Sequence, residues 1–330
     1  MTMSLAAPSL TDRVTSLAFD AHILHAGFLG SDMVVVTSEG IVQIGRENPP
    51  FRPHGDAILS VVQDQKRLLT GGDDGAVFEI RAGKTPVEIA RGKGWVDTIA
   101  SGPDGAIAWS AGRQVFSRDA KGNLRTLALD SSARGLAFFP KGYRLAIAQN
   151  GGALLWFPNM SATPEKLEWK GSHLDCTVSS DGRFVITSMQ ENQLHGWRLA
   201  DKGHMRMSGY PAKIRCMSWS YDGMWLATSG AEAAIVWPFA KDGPMGKPPR
   251  ECGARPARVT KVAFHPKALV LAIGYADGWV LLVRLTDAQE LLVRAGGDGS
   301  PISALAWDAE GRRLIFGAES GAAGLLDLPV

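Results

Sequence analysis

Residues 134–156 read RGLAFFPKGYRLAIAQNGGALLW, and this stretch decides the fold. Three short apolar runs, at 136–139, 145–148 and 153–156, are separated by a Pro-Lys-Gly turn and by an Asn-Gly-Gly turn. Apolar runs of four or five residues between Gly and Pro signals are typical of strands, and Asn-Gly turns are typical of tight hairpins. The stretch therefore predicts three consecutive antiparallel strands.

The same order of strands and turns recurs along the whole chain, with clear copies at 214–237, 259–283 and 302–326. The residue equivalent to Phe138 serves as an anchor for each copy, and eight anchors lie 33 to 45 residues apart. A spacing of about 40 residues indicates a repeat architecture in which each copy is one small sheet. The anchors are Phe28, Val61, Ser101, Phe138, Val178, Trp219, Phe264 and Trp307.

Three turn segments carry a resemblance to a known family: FFPKG at 138–142, WSYDG at 219–223 and FHPK at 264–267. They are similar to the turn between the first two strands of a blade in WD40-repeat β-propellers. Trp156, Trp197 and Trp237 stand where that family usually has the Trp of its Trp-Asp pair, although none of them is followed by Asp. The resemblance covers almost the whole chain and implies an all-β propeller of four-stranded antiparallel blades.

The repeats predict one closed propeller domain over residues 1–330. Eight anchors and eight turns between second and third strands favour eight blades, with seven as the alternative. The last copy ends near residue 328 without a fourth strand, so we expect the segment at 14–19 to complete the last blade as its closing strand. The eight turns are expected at Gly40, Gly75, Gly112, Gly151, Asn192, Glu232, Gly278 and Gly321.

Composition restricts the cellular setting and the kinds of partner. The 35 basic and 33 acidic residues give a formal net charge of +2, which argues against a dedicated nucleic-acid binder. Three widely spaced cysteines do not form a disulfide framework, and residues 1–8 lack the features of a secretory signal. No apolar run approaches the length of a membrane span. We therefore expect a cytoplasmic protein with no membrane partner.

The sequence contains no motif of a hydrolase or a nucleotide-binding loop, so we expect no enzymatic activity, no catalytic residues and no cofactor. The segment GGDDG at 71–75 is best explained as a hairpin turn. His173, Cys176 and Cys216 fall on innermost strands, so a metal or small-molecule site in the central channel is the alternative function. We assign no metal ligand, because strand positions three apart point to opposite faces.

The resemblance implies a non-catalytic scaffold that binds a protein or peptide on one rim, at the loops entering each innermost strand and at the turns joining second to third strands. Basic residues concentrate in the long connection at 240–261 and on the strand before it, so an acidic partner is expected. Trp95 is the aromatic candidate, in a glycine-rich basic loop. The rim residues predicted to bind the partner are Trp95, Lys213, Arg258, Tyr275, His22 and Glu319. The partner's identity and the oligomeric state are not predicted.

Overall fold

The computed structural model describes residues 9–64 and 66–328 of the chain. Residues 1–8, on which the expectation of no secretory signal rests, lie outside the described residues. Short strands make up nearly all the regular structure, together with two three-residue 3-10 helices, Thr11–Arg13 and Pro103–Gly105. Neither of these helices has the length or apolar character needed to cross a membrane.

The strands of the first half follow the chain order. They are β1 (Val14–Ala18), β2 (Ile23–Leu29), β3 (Asp32–Thr37), β4 (Val42–Ile44), β5 (Ile58–Gln63), β6 (Leu68–Gly72), β7 (Ala76–Ile80), β8 (Val87–Arg91), β9 (Thr98–Ser101), β10 (Ile107–Ala111), β11 (Gln114–Arg118), β12 (Leu124–Ala128), β13 (Gly135–Phe138) and β14 (Leu145–Trp156).

The second half continues in the same way. Its strands are β15 (Glu165–Val178), β16 (Phe184–Met189), β17 (Leu194–Arg198), β18 (Gly203–Met207), β19 (Met217–Trp219), β20 (Trp225–Thr228), β21 (Ala234–Pro238), β22 (Arg250–Cys252), β23 (Val259–Phe264), β24 (Val270–Tyr275), β25 (Val280–Arg284), β26 (Glu290–Arg294), β27 (Ile302–Trp307), β28 (Arg313–Ala318) and β29 (Ala322–Asp327).

The described strands form seven hydrogen-bonded sheets arranged as a propeller. Five sheets have four strands: β5 to β8, β9 to β12, β19 to β22, β23 to β26, and a sheet of order β1-β29-β28-β27. The sheet β2-β3-β4 has three strands, and β13 to β18 form one sheet of six. In the β1-β29-β28-β27 sheet, β1 pairs antiparallel with β29, with Val14 opposite Leu326.

Apolar side chains form the core between neighbouring sheets, as the alternating pattern of the strands requires. One cluster joins Val34 and Val36 of β3 to Leu68 of β6 and Ile80 of β7. Another packs the first sheet against the last through Val35 of β3 and Ile315 of β28, among others. The first strands of consecutive sheets also contact one another, including β2 with β27, so these strands surround a central channel.

The prediction of eight separate four-stranded blades is wrong, because the strands that the structure describes form seven hydrogen-bonded sheets. Seven of the eight anchors lie in a strand at the end of its sheet, but Val178 lies in β15, inside the six-stranded sheet. β15 spans the boundary between the fourth and fifth repeats, since its residues 165–168 pair with β14 and its residues 173–178 pair with β16. These two repeats therefore share one sheet.

Seven of the eight predicted turns lie between consecutive strands, but Gly151 lies inside the single strand β14, so residues 145–156 do not form the two separate strands that the sequence predicts. Gly75 follows the turn between β6 and β7 with a φ of 76°, which confirms the interpretation of residues 71–75 as a turn. Asn192 has a φ of 52° between β16 and β17. Buried polar contacts fix the loops beside such turns: His54 contacts Asp74 through Nδ1 at 3.0 Å and Thr70 through Nε2 at 2.8 Å.

Candidate interaction site

A cavity with a volume of about 690 Å³ opens on the rim where loops enter the first strands of the sheets. We call it the central cavity. Its walls come from the loops before β2, β19, β23 and β27, and from the turns that follow β16, β20, β24 and β28. Four of the six predicted rim residues lie in its wall: His22, Lys213, Arg258 and Glu319.

Backbone hydrogen bonds hold the rim loops in a repeated geometry. The N–H of Ser38 donates to the carbonyl of His22 at 2.8 Å, and the N–H of Glu319 donates to the carbonyl of Pro301 at 2.9 Å. The carbonyl of Arg258 accepts from Ala276 at 2.8 Å in the equivalent position. The loops therefore fix where each side chain leaves the backbone, while the side chains themselves face the cavity.

The central cavity is strongly cationic. Lys213, Arg215, Arg258 and Lys261 line it, and Glu319 is the only carboxylate among the described lining residues. Within residues 9–64 and 66–328, none of these four cations takes part in an ion pair. Unpaired cations around a concave surface create a positive potential that attracts an anionic ligand.

The structure divides the basic segment at 240–261 into structural and cavity-facing cations. Lys247 donates to the carbonyls of Ala240 and Gly243, each at 2.9 Å. Arg255 pairs with Asp277 at 2.8 Å and lies 3.7 Å from the ring centre of Trp279. These two side chains are therefore occupied within the fold and are not free to bind a partner.

Two other cations of the segment at 240–261, Arg258 and Lys261, face the cavity. An irregularity in β23 explains the orientation of Lys261. The register between β23 and β24 shifts between Val259 and Lys261, as at a β-bulge. A bulge redirects side chains, so Thr260 and Lys261 can both line the cavity although they are adjacent in sequence. Sequence analysis missed Thr260, because strict alternation places neighbouring residues on opposite faces.

Lys261 also acts across the central channel. Burial raises the pKa of the Asp175 carboxyl to about 6, and the positive charge of Lys261 opposes that rise. Burial lowers the pKa of His25, and Lys261 lowers it further. These residues belong to β15, β23 and β2, in sheets that are not all neighbours, so the three groups interact through the channel. The protein around the channel desolvates the Asp175 carboxyl, although this side chain remains accessible to water inside the channel.

Trp95 is exposed but does not line the central cavity. Its side chain is 65% accessible to solvent, in the loop between β8 and β9. The adjacent residues Gly94 and Val96 line a different surface, a groove between the second and third sheets. The rim predicted from the sequence therefore corresponds to two separate surfaces.

Tyr275 lies in the core, not on the rim surface. Its side chain is fully buried, and its hydroxyl donates to the carbonyl of Gly253 in the preceding sheet's outer loop. Burial raises the pKa of this phenol, so it stays neutral. Direct contact with a partner needs an accessible side chain, so the structure removes Tyr275 from the candidate site.

The residues considered for a channel metal site are used in other ways. Nδ1 of His173 contacts Thr187 Oγ1 at 2.7 Å, and Nε2 of His173 donates to the carbonyl of Trp169 at 3.1 Å. Burial raises the pKa of the Cys176 thiol well above its ordinary value, which disfavours the thiolate that a metal needs. In the described part of the chain, no three His, Cys, Asp or Glu side chains converge as metal ligands.

Comparisons with known proteins agree with this architecture. Residues 202–237 match the family model "WD domain, G-beta repeat". The computationally designed Ika8 protein superposes with a TM-score of 0.78 at 15% identity, covering 94% of this chain and 98% of the designed one. The RRP9 WD40 repeats superpose with a TM-score of 0.63 at 14% identity, covering 84% of this chain and 96% of theirs. The chain thus contains a WD40 repeat within a β-propeller, and its resemblance to the WD40-repeat family is confirmed.

Proposed function

We propose that this chain is a non-catalytic scaffold that binds an acidic peptide segment of a partner protein in the central cavity. WD40 propellers are typically protein-interaction scaffolds, and this one has the propeller architecture. Four cations that take part in no ion pair among the described residues converge on one rim cavity, and this observation carries the proposal. Carboxylates are the groups that Lys and Arg recognise most directly.

Each predicted rim residue in the cavity has a role in this proposal. Arg258 and Lys213 bind carboxylates of the peptide from two neighbouring loops. His22 and Glu319 also line the cavity and offer a ring nitrogen and a carboxylate to polar groups of the peptide. Binding positions a partner and changes no covalent bond. A reducing compartment such as the cytoplasm suits the three free cysteines.

The proposal is tested with a fluorescein-labelled octaglutamate peptide and fluorescence anisotropy. The variant Lys213→Glu/Arg258→Glu changes the charge by four units inside the cavity. The control Lys84→Glu/Lys121→Glu makes the same change in the turns after β7 and β11, away from the cavity. We expect at least tenfold weaker binding by the cavity variant and less than a twofold change in the control. No binding to the wild type, or equal losses in both variants, contradicts the proposal.

A small anionic ligand is the second candidate occupant. The cavity volume of about 690 Å³ lies within the usual range of small-molecule sites, roughly 300–1,000 Å³. Calorimetry with inorganic triphosphate distinguishes the two functions. Saturable binding of triphosphate that is tighter than octaglutamate binding favours a small-ligand protein, whereas weaker or absent triphosphate binding favours the peptide scaffold.

A further inference from the structure

A second concave surface lies between the second and third sheets, outside the central cavity. We call it the lateral groove, and its volume is about 750 Å³. Its apolar lining includes Trp109 of β10, Phe116 of β11 and Ile89 of β8. The rings of Trp109 and Phe116 stack with centroids 5.4 Å apart and an interplanar angle of 15°. Trp109 is buried, so Phe116 presents the accessible aromatic face of the pair, which is suited to an apolar side chain.

Several apolar side chains of the lateral groove are accessible to solvent. Leu124 of β12 lines it with half of its side chain accessible to solvent, and Phe116 and Ile89 are partly accessible. Trp95, 65% accessible, stands between two residues that line the groove. Apolar surface that collects in one groove marks an interaction site more often than isolated apolar residues do.

The charge around the lateral groove has one sign. Arg91, Lys93 and Arg118 line it, and its described lining contains no Asp or Glu. Arg91 is partly neutralised, since it pairs with Glu88 at 2.7 Å and with Asp74 at 3.6 Å. Among the residues that the structure describes, Lys93 and Arg118 take part in no ion pair. The complementary ligand therefore carries carboxylates beside its apolar groups.

The backbone at the lateral groove favours an extended ligand. β8 contributes residues 89–91 to the lining, and within the described chain β8 pairs only with β7. Its other edge is open, and an open strand edge can accept the backbone of an added extended segment. The side chains of such a segment alternate between the groove and solvent.

We propose that the lateral groove is a second interaction surface, which takes an extended segment of a partner protein with apolar side chains flanked by Asp or Glu. The apolar side chains lie on Phe116 and Leu124, and the carboxylates face Lys93 and Arg118. This surface is separate from the central cavity, so the scaffold can hold two segments at once. Trp95, which lies between the groove residues Gly94 and Val96 in the chain, then belongs to this second surface.

The test uses the full-length chain carrying Lys213→Glu/Arg258→Glu as bait, so that ligands of the central cavity do not dominate. A phage library of random 12-residue peptides is selected on it, and the enriched peptides are synthesised and measured by anisotropy. We expect enriched peptides with apolar residues next to Asp or Glu. Selection of basic peptides, or of none, overturns the proposal and leaves the central-cavity proposal untouched.

Groove variants with matched controls then locate the binding. Leu124→Asp changes an exposed lining residue, and Val87→Asp changes a residue of β8 that is 56% accessible and lies outside the lining. Lys93→Glu is matched in the same way by Lys84→Glu. We expect at least tenfold weaker binding for the two groove variants and less than twofold for the controls. Equal effects within each pair overturn the proposal, and thermal melts confirm that all four variants fold.

Discussion

Arg255 and Arg258 illustrate how neighbouring residues on one loop acquire different tasks. They lie three residues apart before β23, yet Arg255 is held by Asp277 and Trp279, whereas Arg258 faces the cavity and takes part in no ion pair among the residues that the structure describes. An occupied guanidinium would have to give up its own contacts before it could bind a partner. Availability, and not charge alone, therefore decides which basic residues can recognise a ligand.

Asp175 provides a prediction at the same scale. Its pKa of about 6 in the folded chain exceeds the ordinary Asp value of 3.8, so the folded state retains a proton that the unfolded chain releases. Wild-type stability therefore decreases as the pH rises through the window from about 4 to 6. This pKa shift corresponds to a loss of at most about 3 kcal/mol in the free energy of unfolding, and screening by water in the channel makes the loss smaller. We therefore expect Asp175→Asn to raise the free energy of unfolding by about 1 kcal/mol at pH 7.5.

Urea unfolding at pH 4 and pH 7.5 measures this effect. The gain of Asp175→Asn should vanish at pH 4, because the wild-type carboxyl is then neutral in the folded chain. The side chain of Asp56 is exposed to solvent, so Asp56→Asn serves as the control. A loss of stability for Asp175→Asn at pH 7.5 would show that attraction between Asp175 and Lys261 outweighs the cost of burial.

Four residues predicted on one rim, His22, Lys213, Arg258 and Glu319, lie beside one cavity, because loop position in a repeat fixes which rim a residue occupies. Tyr275, predicted on the same rim, is buried instead. The hydroxyl of Tyr275 finds its partner, the carbonyl of Gly253, in another sheet, 22 residues earlier in the chain. Such a tertiary contact leaves no trace in the local pattern.

The strands themselves follow from local pattern, and their grouping into sheets does not. The apolar runs at 145–148 and 153–156, which both lie in β14, and the turn at 71–75 were predictable from apolar patterning and Gly signals. The union of the fourth and fifth repeats depends on the continuous strand β15, which pairs with β14 through residues 165–168 and with β16 through residues 173–178. The count of separate sheets therefore could not be read from repeat spacing.

The turn inside β14 supports a prediction about this union. Gly151 and Gly152 both have positive φ, 82° and 140°. A Cβ at Gly152 would collide with the carbonyl oxygen of Leu167 in β15, whereas a Cβ at Gly151 would meet no atom within 4 Å. We expect Gly151→Ala to cost about 1 kcal/mol from backbone strain, and Gly152→Ala to cost about 3 kcal/mol because the collision adds to it.

Urea unfolding of the two alanine variants provides the comparison. Both substitutions replace a glycine in the same turn, so they change the unfolded chain equally, and the difference between them reports on contact with β15. Equal costs would mean that β15 moves away from Gly152 without loss, and that the six-stranded sheet is loosely joined at this point.

At the scale of the whole molecule, the near-neutral charge conceals an uneven distribution. The formal net charge is only +2, yet the described lining of the central cavity contains four cations and one carboxylate. Net charge is therefore a poor guide to partner choice in this propeller. The acidic segment that we propose as the ligand is attracted by the local positive field of the rim. This attraction raises its rate of association with the cavity above that of diffusion alone.

Salt dependence of association tests this view of the whole surface. The screening length is about 10 Å at 0.1 M salt and about 3 Å at 1 M, so raising NaCl from 50 to 500 mM should remove most long-range attraction. We expect the association rate of labelled octaglutamate, measured by stopped flow, to fall about tenfold for the wild type. Lys213→Glu/Arg258→Glu should flatten the slope against salt, while Lys84→Glu/Lys121→Glu, with the same net charge, should preserve it. If both variants flattened the slope equally, overall charge would guide the peptide, and the cavity's cations would act only after contact.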